Sequence, residues 1–225
     1  MHALVFGASG FLGGEISGVL ESKGWKVTGL SRIEAEQGVS LGGDLANRVN
    51  DLGQIDGIVW AQGANSKGTV LESNTESLSA LFEANVAFIS RTLKSLFDAE
   101  VLAKPCRSVV LSSIWQEMSR QAKFEYTVTK SALAGLVNSI TIDLAQQDFA
   151  INLILPGVVD SPMTRANLSK SAIEDFARNT PGGKLVDASE IGSTVAFLLS
   201  AESSGISGQS IIVDKGWSKV RYVND

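Results

Sequence analysis

The sequence has one histidine, His2, and one cysteine, Cys106, in 225 residues. A single histidine at the extreme N-terminus cannot supply a Ser-His-acid triad, a histidine general base or a histidine-rich metal centre, so no metal site is expected. A lone cysteine rules out an internal disulfide and fits a reducing, cytoplasmic setting. Positive charge is also scarce: 19 Lys and Arg stand against 24 Asp and Glu, with no basic run, which argues against nucleic acid or an anionic membrane as the partner. No apolar run approaches membrane-spanning length, and the leading MHALVFGASGFLGG lacks a charged start and is broken by glycines, unlike a signal peptide. These absences leave a small molecule as the expected ligand.

What is present is alternation. Short apolar runs (ALVFGAS, WKVTGLS, DGIVWAQG, SVVLSS, AINLILPG, SIIVD) alternate with segments of helical period near 12 to 23, 76 to 97, 126 to 147 and 188 to 200. Runs such as IVWA and NLILP are continuously apolar, as strands buried on both faces of a parallel sheet are. The expectation is an α/β doubly wound parallel sheet with helices on both faces. With 44% hydrophobic residues and no repeat, charged block or linker, one domain over 1–225 is expected. Few residues separate Ser31 from a short strand at about Val39 to Leu41, so that crossover is expected to be shortened.

The stretch GASGFLG places Gly7, Gly10 and Gly13, with Ser9, Phe11 and Leu12 between them, at a strand-to-helix turn. Side-chain-free positions there let backbone N–H groups approach a pyrophosphate at the positive helix end. About twenty residues on, where an acid would hold the ribose hydroxyls of NAD, stand Ser31 and Arg32. Arg32 is either a solvated loop cation or a partner for a 2′-phosphate.

Tyr126 and Lys130 are four residues apart and therefore share a helical face. Either Tyr126 packs its ring while Lys130 reaches for water, or the ammonium favours the phenolate and makes the phenol a usable acid–base group.

Taken in order, GASGFLG, GDL with Asp44 and Leu45, AQG at Ala61, Gln62 and Gly63, Asn85 in EANVAF, SSI, YTVTK, PGVVDSPM, ISGQ and VDKGW make the chain resemble the short-chain dehydrogenase/reductase family over nearly its whole length. The resemblance implies a catalytic tetrad. The family's serine lies thirteen residues before the tyrosine, which selects Ser113 over Ser112, and Asn85 stands where the fourth member is expected. By this likeness Tyr126 transfers the proton, Ser113 holds the substrate oxygen, Lys130 tunes Tyr126 and grips the nicotinamide ribose, and Asn85 positions a water. Asp44 and Leu45 are implied at the adenine. Pro156, Gly157, Val159 and Ser161 are implied at the nicotinamide, with Ser161 able to bond its carboxamide.

The likeness has three departures. The glycine spacing is that of the family's extended branch, WAQG replaces the usual NNAG, and Lys215 stands in VDKGW where glycine is common.

The substrate pocket is expected between Ser113 and Tyr126 and a lid at about 163–184. Trp115 and Met118 would form one wall, and Met163, Leu168, Ile173 and Phe176 the other, with 167 to 178 one lid helix. The resulting expectation is an oxidoreductase acting on a small ketone or secondary alcohol, preferring NADP(H) with NAD(H) possible. A 3-oxoacyl thioester reductase is the alternative; a basic patch beside the pocket would favour it, and none is apparent in the sequence. A non-catalytic nucleotide-sensing protein is the alternative of another class. Leu81, Phe82, Phe88, Leu93, Leu133, Leu136, Val137, Ile140 and Leu144 exceed what one sheet-facing stripe needs, and similar proteins pair the two helices that carry them, so a homodimer or homotetramer is expected.

Overall fold

The computed structural model describes residues 1–30 and 53–219. Its elements run β1 (His2–Phe6), α1 (Phe11–Ser22), β2 (Lys26–Leu30), β3 (Ile55–Trp60), α2 (Thr75–Phe82), α3 (Phe88–Asp98), β4 (Leu102–Leu111), α4 (Phe124–Asp143), β5 (Phe149–Pro156), α5 (Pro162–Asn167), α6 (Lys170–Arg178), α7 (Ala188–Leu199) and β6 (Ser210–Val213). The strands form one sheet in the order β2-β1-β3-β4-β5-β6, and every pairing is parallel. The chain reverses its direction of travel across the sheet between β1 and β3. Ligands bind outside the C-terminal strand ends at such a switch point.

Both faces are covered, which explains the continuous apolar runs. Leu4, Phe6, Ile58 and Trp60 point to one side and pack with Ile89 and Leu93 of α3 and with Leu133 and Val137 of α4. Ala3, Val5 and Val59 point to the other and meet Ile16 and Leu20 of α1 and Ile191 and Val195 of α7. The alternation follows from the two-residue side-chain period of a strand.

Two expectations are corrected. The helix expected from 76 to 97 is interrupted by a π turn at Glu83–Ala87, and such insertions often mark functional positions. The lid helix expected over 167 to 178 starts later, as α6 at Lys170, because Leu168 is extended and Ser169 caps the new start; α5, capped by Ser161, precedes it. The surplus of apolar helix positions also shrinks: Leu81, Phe88, Leu93, Leu133 and Val137 are buried within the chain, Leu136, Ile140 and Leu144 pack against the same core, and of the nine only Phe82 is exposed.

Candidate active site

Strand β1 delivers the chain to Gly7, whose φ of 81° lies in the left-handed region that favours glycine. A Cβ on Gly7 would fall 2.6 Å from the Gln62 backbone nitrogen, and one on Gly13 would fall 2.1 Å from the Gly7 carbonyl oxygen. Neither position can hold a side chain without displacing the backbone. Helix α1 starts after Gly10, which contributes no side-chain cap, and its first turn has no acid. The leading N–H groups are therefore open to an anion. Ser9, Phe11 and Leu12 lie on the same cavity wall, as do Ala61, Gln62 and Gly63 at the end of β3. Both amide atoms of Gln62 are buried with no hydrogen-bond partner among the described residues. An orphaned amide beside a side-chain-free cradle fits a bound dinucleotide.

The cavity, of about 440 Å³, continues from this loop to Ser113 and Tyr126. Ser112 and Ser113 follow β4 but have different duties. The Ser112 hydroxyl donates to Gln116 Oε1 at 2.8 Å, and Gln116 in turn donates to Ser210 at 3.0 Å, so Ser112 ties the turn to β6. Ser113 opens the following short turn, with its Oγ 3.3 Å from the Trp115 N–H, and its hydroxyl beside Tyr126 favours the phenolate.

That influence is outweighed: burial pushes the Tyr126 phenol above its ordinary range. Lys130 Nζ donates to the Leu111 carbonyl at 3.0 Å and lies 5.7 Å from the centre of the Tyr126 ring. Lys130 is itself buried, and desolvation lowers its pKa to about 8.

Asn85 reaches the same place from the π turn. Its Oδ1 accepts the Ala64 N–H at 2.7 Å, and its Nδ2 donates to the Ala64 carbonyl at 3.1 Å and to Thr129 Oγ1 at 3.0 Å. A Cβ on Gly63 would stand 3.3 Å from Asn85 Oδ1 and 3.6 Å from Lys130 Nζ, so the two side chains flank that glycine.

Among the positions expected at the nicotinamide, Pro156, Gly157, Val159 and Ser161 all line the cavity. Gly157 is required where the chain passes Asp214, whose Cβ would lie 2.7 Å from an added Cβ. The Ser161 hydroxyl is already engaged: it accepts the Thr164 N–H at 3.1 Å and donates to Thr164 Oγ1 at 3.0 Å. Ser31, Arg32, Asp44, Leu45, the strand expected at 39 to 41 and the shortened crossover lie outside the described residues.

On the substrate side Trp115, Met163, Leu168 and Phe176 line the cavity, but Met118 does not, and Ile173 lines a separate groove under α6. Trp217 was not anticipated. It backs the wall by meeting Phe176 at 5.4 Å and Trp115 at 6.1 Å between ring centres.

The departures from the family pattern also find local reasons. Trp60 is a core residue, stacked on Phe6 and donating from Nε1 to Thr92 Oγ1 at 2.9 Å. Lys215 adopts a φ of 54°, the conformation for which glycine is favoured, and its ammonium pairs with Glu190.

A further correction concerns charge. Lys67, Arg120 and Lys123 all line the cavity and, among the described residues, no carboxylate does. The patch is invisible as a run because it is assembled from two distant segments.

Residues 43–218 match the family model described as Enoyl-(Acyl carrier protein) reductase. The 3-oxoacyl-acyl-carrier-protein reductase of Escherichia coli is 28% identical over 234 residues, covering 95% of this chain and 96% of the relative. An uncharacterized oxidoreductase of Bacillus subtilis is 27% identical over 237 residues, covering 96% and 98%. Among solved structures, the aldohexose dehydrogenase of Thermoplasma acidophilum superposes with a TM-score of 0.85 at 21% identity, over 100% of this chain and 96% of that one.

Proposed function

Because the chain belongs to the short-chain dehydrogenase/reductase family and is thereby an NAD(P)-dependent oxidoreductase, we propose that it interconverts a small ketone and its secondary alcohol with Tyr126 as the proton-transferring group. The observation that carries this reading is the placement of the Tyr126 phenol beside the Ser113 hydroxyl and Lys130, on a cavity whose other end is the uncapped glycine turn. When bound, the nicotinamide supplies the hydride for reduction or accepts it in oxidation.

The protein's own residues handle the proton. Burial keeps the Tyr126 phenol protonated at neutral pH, which suits it to donate. In reduction its O–H bond breaks and the proton passes to the carbonyl oxygen as the carbon is reduced. The phenolate left behind is held by Ser113 and by the nearby Lys130 ammonium. Asn85 fixes the backbone at Ala64, next to the glycine that borders Lys130.

Preference for NADP(H) over NAD(H) is part of the proposal and rests on Ser31 and Arg32 in the sequence. A homodimer or homotetramer rests on family likeness, with Phe82 at 41% and Ile142 at 74% exposure available for contact. A 3-oxoacyl thioester remains the second substrate reading, favoured by the names of the relatives and by Lys67, Arg120 and Lys123 at the cavity.

The deciding experiment is Tyr126→Phe. Turnover of a ketone panel should fall by about a thousandfold, within the range general acid–base catalysis contributes. Cofactor binding, followed by fluorescence, should hold. Near-wild-type turnover would overturn the mechanism, and cofactor binding without turnover in the wild type would favour the sensing role.

A further inference from the structure

Resting on that reading, we propose that the substrate carries an anionic group, a carboxylate or phosphate, within a few bonds of the reacting carbonyl, and that Lys67, Arg120 and Lys123 hold it. The central observation is Lys123. Its side chain starts at the cap position of α4 and is buried at 4% exposure, yet its ammonium meets only neutral acceptors, Asn65 Oδ1 and the Ser66 carbonyl, the latter at 2.8 Å. Two of its three N–H donors are thus engaged, and no carboxylate pairs with it among the described residues. A buried charge without a counter-ion is costly, and desolvation together with Arg120 and Lys67 lowers its pKa to about 8. An anionic ligand supplies the missing charge.

The position specifies where on the substrate that charge sits. Lys123 Nζ lies 5.1 Å from the centre of the Tyr126 ring, while Lys130 Nζ lies 5.7 Å from it. The tyrosine therefore stands beside two ammonium groups, one given a mechanistic role above and one not. Arg120 is held by stacking, its guanidinium 5.7 Å from the centre of the Trp115 ring on the substrate wall. Arg120 and Lys67 form no ion pair among the described residues. Such a cationic group in a protein of net charge -5 is local, not a reflection of composition. A carboxylate close to the carbonyl can reach Lys123 while the carbonyl oxygen faces Tyr126 and Ser113. The phosphate of a carrier-bound thioester is separated from its carbonyl by the whole pantetheine arm and cannot. The geometry therefore favours a small oxo acid or a phosphorylated ketone.

The test compares kcat/KM for 2-oxobutanoate and 3-oxobutanoate with their methyl esters, and for acetoacetyl-phosphopantetheine with its dephosphorylated form. At low ionic strength at least one oxo acid should exceed its ester by about tenfold or more, a typical effect of one charge-assisted contact. The advantage should shrink in about 0.5 M salt, where exposed charges are screened. Arg120→Ala and Lys67→Ala should each reduce the acid-to-ester ratio severalfold, and Arg120→Glu should bring it below one. Esters equal to or better than both acids, or a ratio unmoved by these exposed substitutions, would overturn the proposal. So would a preference for the phosphopantetheine thioester without a preference for the acids. If no compound turns over, the oxidoreductase reading fails on this panel, and anion binding is decided separately by calorimetry on the complex with reduced cofactor. Saturable binding of butanoate but not butanamide would support it, and binding of neither or of both alike would overturn it.

Discussion

The two ends of the cavity present charge by different means. At the glycine turn, a backbone stripped of side chains offers N–H groups, and no charged side chain lines that end among the described residues. Around Tyr126 the charges belong to side chains: Lys123 and Lys130 near the ring, with Lys67 and Arg120 also on the cavity wall. The first arrangement is independent of pH but intolerant of volume. The second tolerates volume but responds to protonation and salt. A ligand can therefore be lost from one end by adding a methyl group and from the other by removing a proton.

The sharpest way to break the contrast is Gly13→Ala. The added Cβ would sit 2.1 Å from the Gly7 carbonyl oxygen, so either the turn opens or α1 shifts. Cofactor affinity should fall by at least about a hundredfold, and stability by about 1–3 kcal/mol as for other overpacked sites. Fluorescence titration with NADPH and thermal unfolding would measure the two. Unchanged affinity would mean that the turn is not the phosphate site. At the other end, Arg120→Ala adds no volume and should leave cofactor affinity within about twofold.

What could be read in the sequence follows the same division. The glycine turn, the sheet strands and the Tyr126–Lys130 pair are contiguous patterns, each fixed by local backbone geometry, so chain order alone reveals them. The choice of Ser113 over Ser112 needed the family's spacing, and the geometry supplies a reason: Ser112 is committed to Gln116. The cationic group depends on a loop after β3 meeting the start of α4 across a gap of more than fifty residues, the separation of Lys123 from Asn65 and Ser66 being 58 and 57. No periodicity encodes such a meeting. The π turn at Glu83–Ala87 was equally hidden, because a single five-residue turn is too short to show a period of its own. Met118 and Ile173 were assigned to the pocket on hydrophobicity alone, which does not say which way a side chain turns.

Next in size is Lys130→Met, which sets stability against function. The ammonium's pKa falls from 10.5 to about 8 on burial; at about 1.4 kcal/mol per pH unit this is a cost of about 3 kcal/mol to the folded state at neutral pH. Losing the hydrogen bond to the Leu111 carbonyl gives back part of that, so the variant should be more stable by about 1–2 kcal/mol at pH 7 while turnover collapses. The sign with pH is definite. Between about pH 8 and 10.5 the unfolded lysine binds a proton that the folded one has released, so Lys130 makes stability rise with pH there. Below that window its full cost is present. Denaturant unfolding at pH 7 and pH 10 should show the Lys130→Met advantage shrinking as pH rises; an advantage that grows would contradict the assignment of a buried ammonium.

The smallest expected effect is also the most discriminating, because it separates the two lysines of the reaction end. Lys123 and Lys130 both lose their protons near pH 8, each chiefly through desolvation. Carbonyl reduction needs Lys130 charged to hold the phenolate left by proton donation, so kcat/KM for a neutral ester should be level below about pH 8 and then fall by about tenfold per pH unit. An oxo acid calls on Lys123 as well, so its decline should be steeper, approaching the two-proton limit of about a hundredfold per unit. Lys123→Met should return the acid to the one-proton slope and leave the ester's slope as it was. Cofactor affinity measured over the same range should change far less, since the glycine turn offers backbone N–H groups that do not titrate. Parallel slopes for acid and ester in the wild type would show that Lys123 meets no charge on the substrate. A steep ester profile that Lys123→Met flattens would instead place that lysine in the proton path.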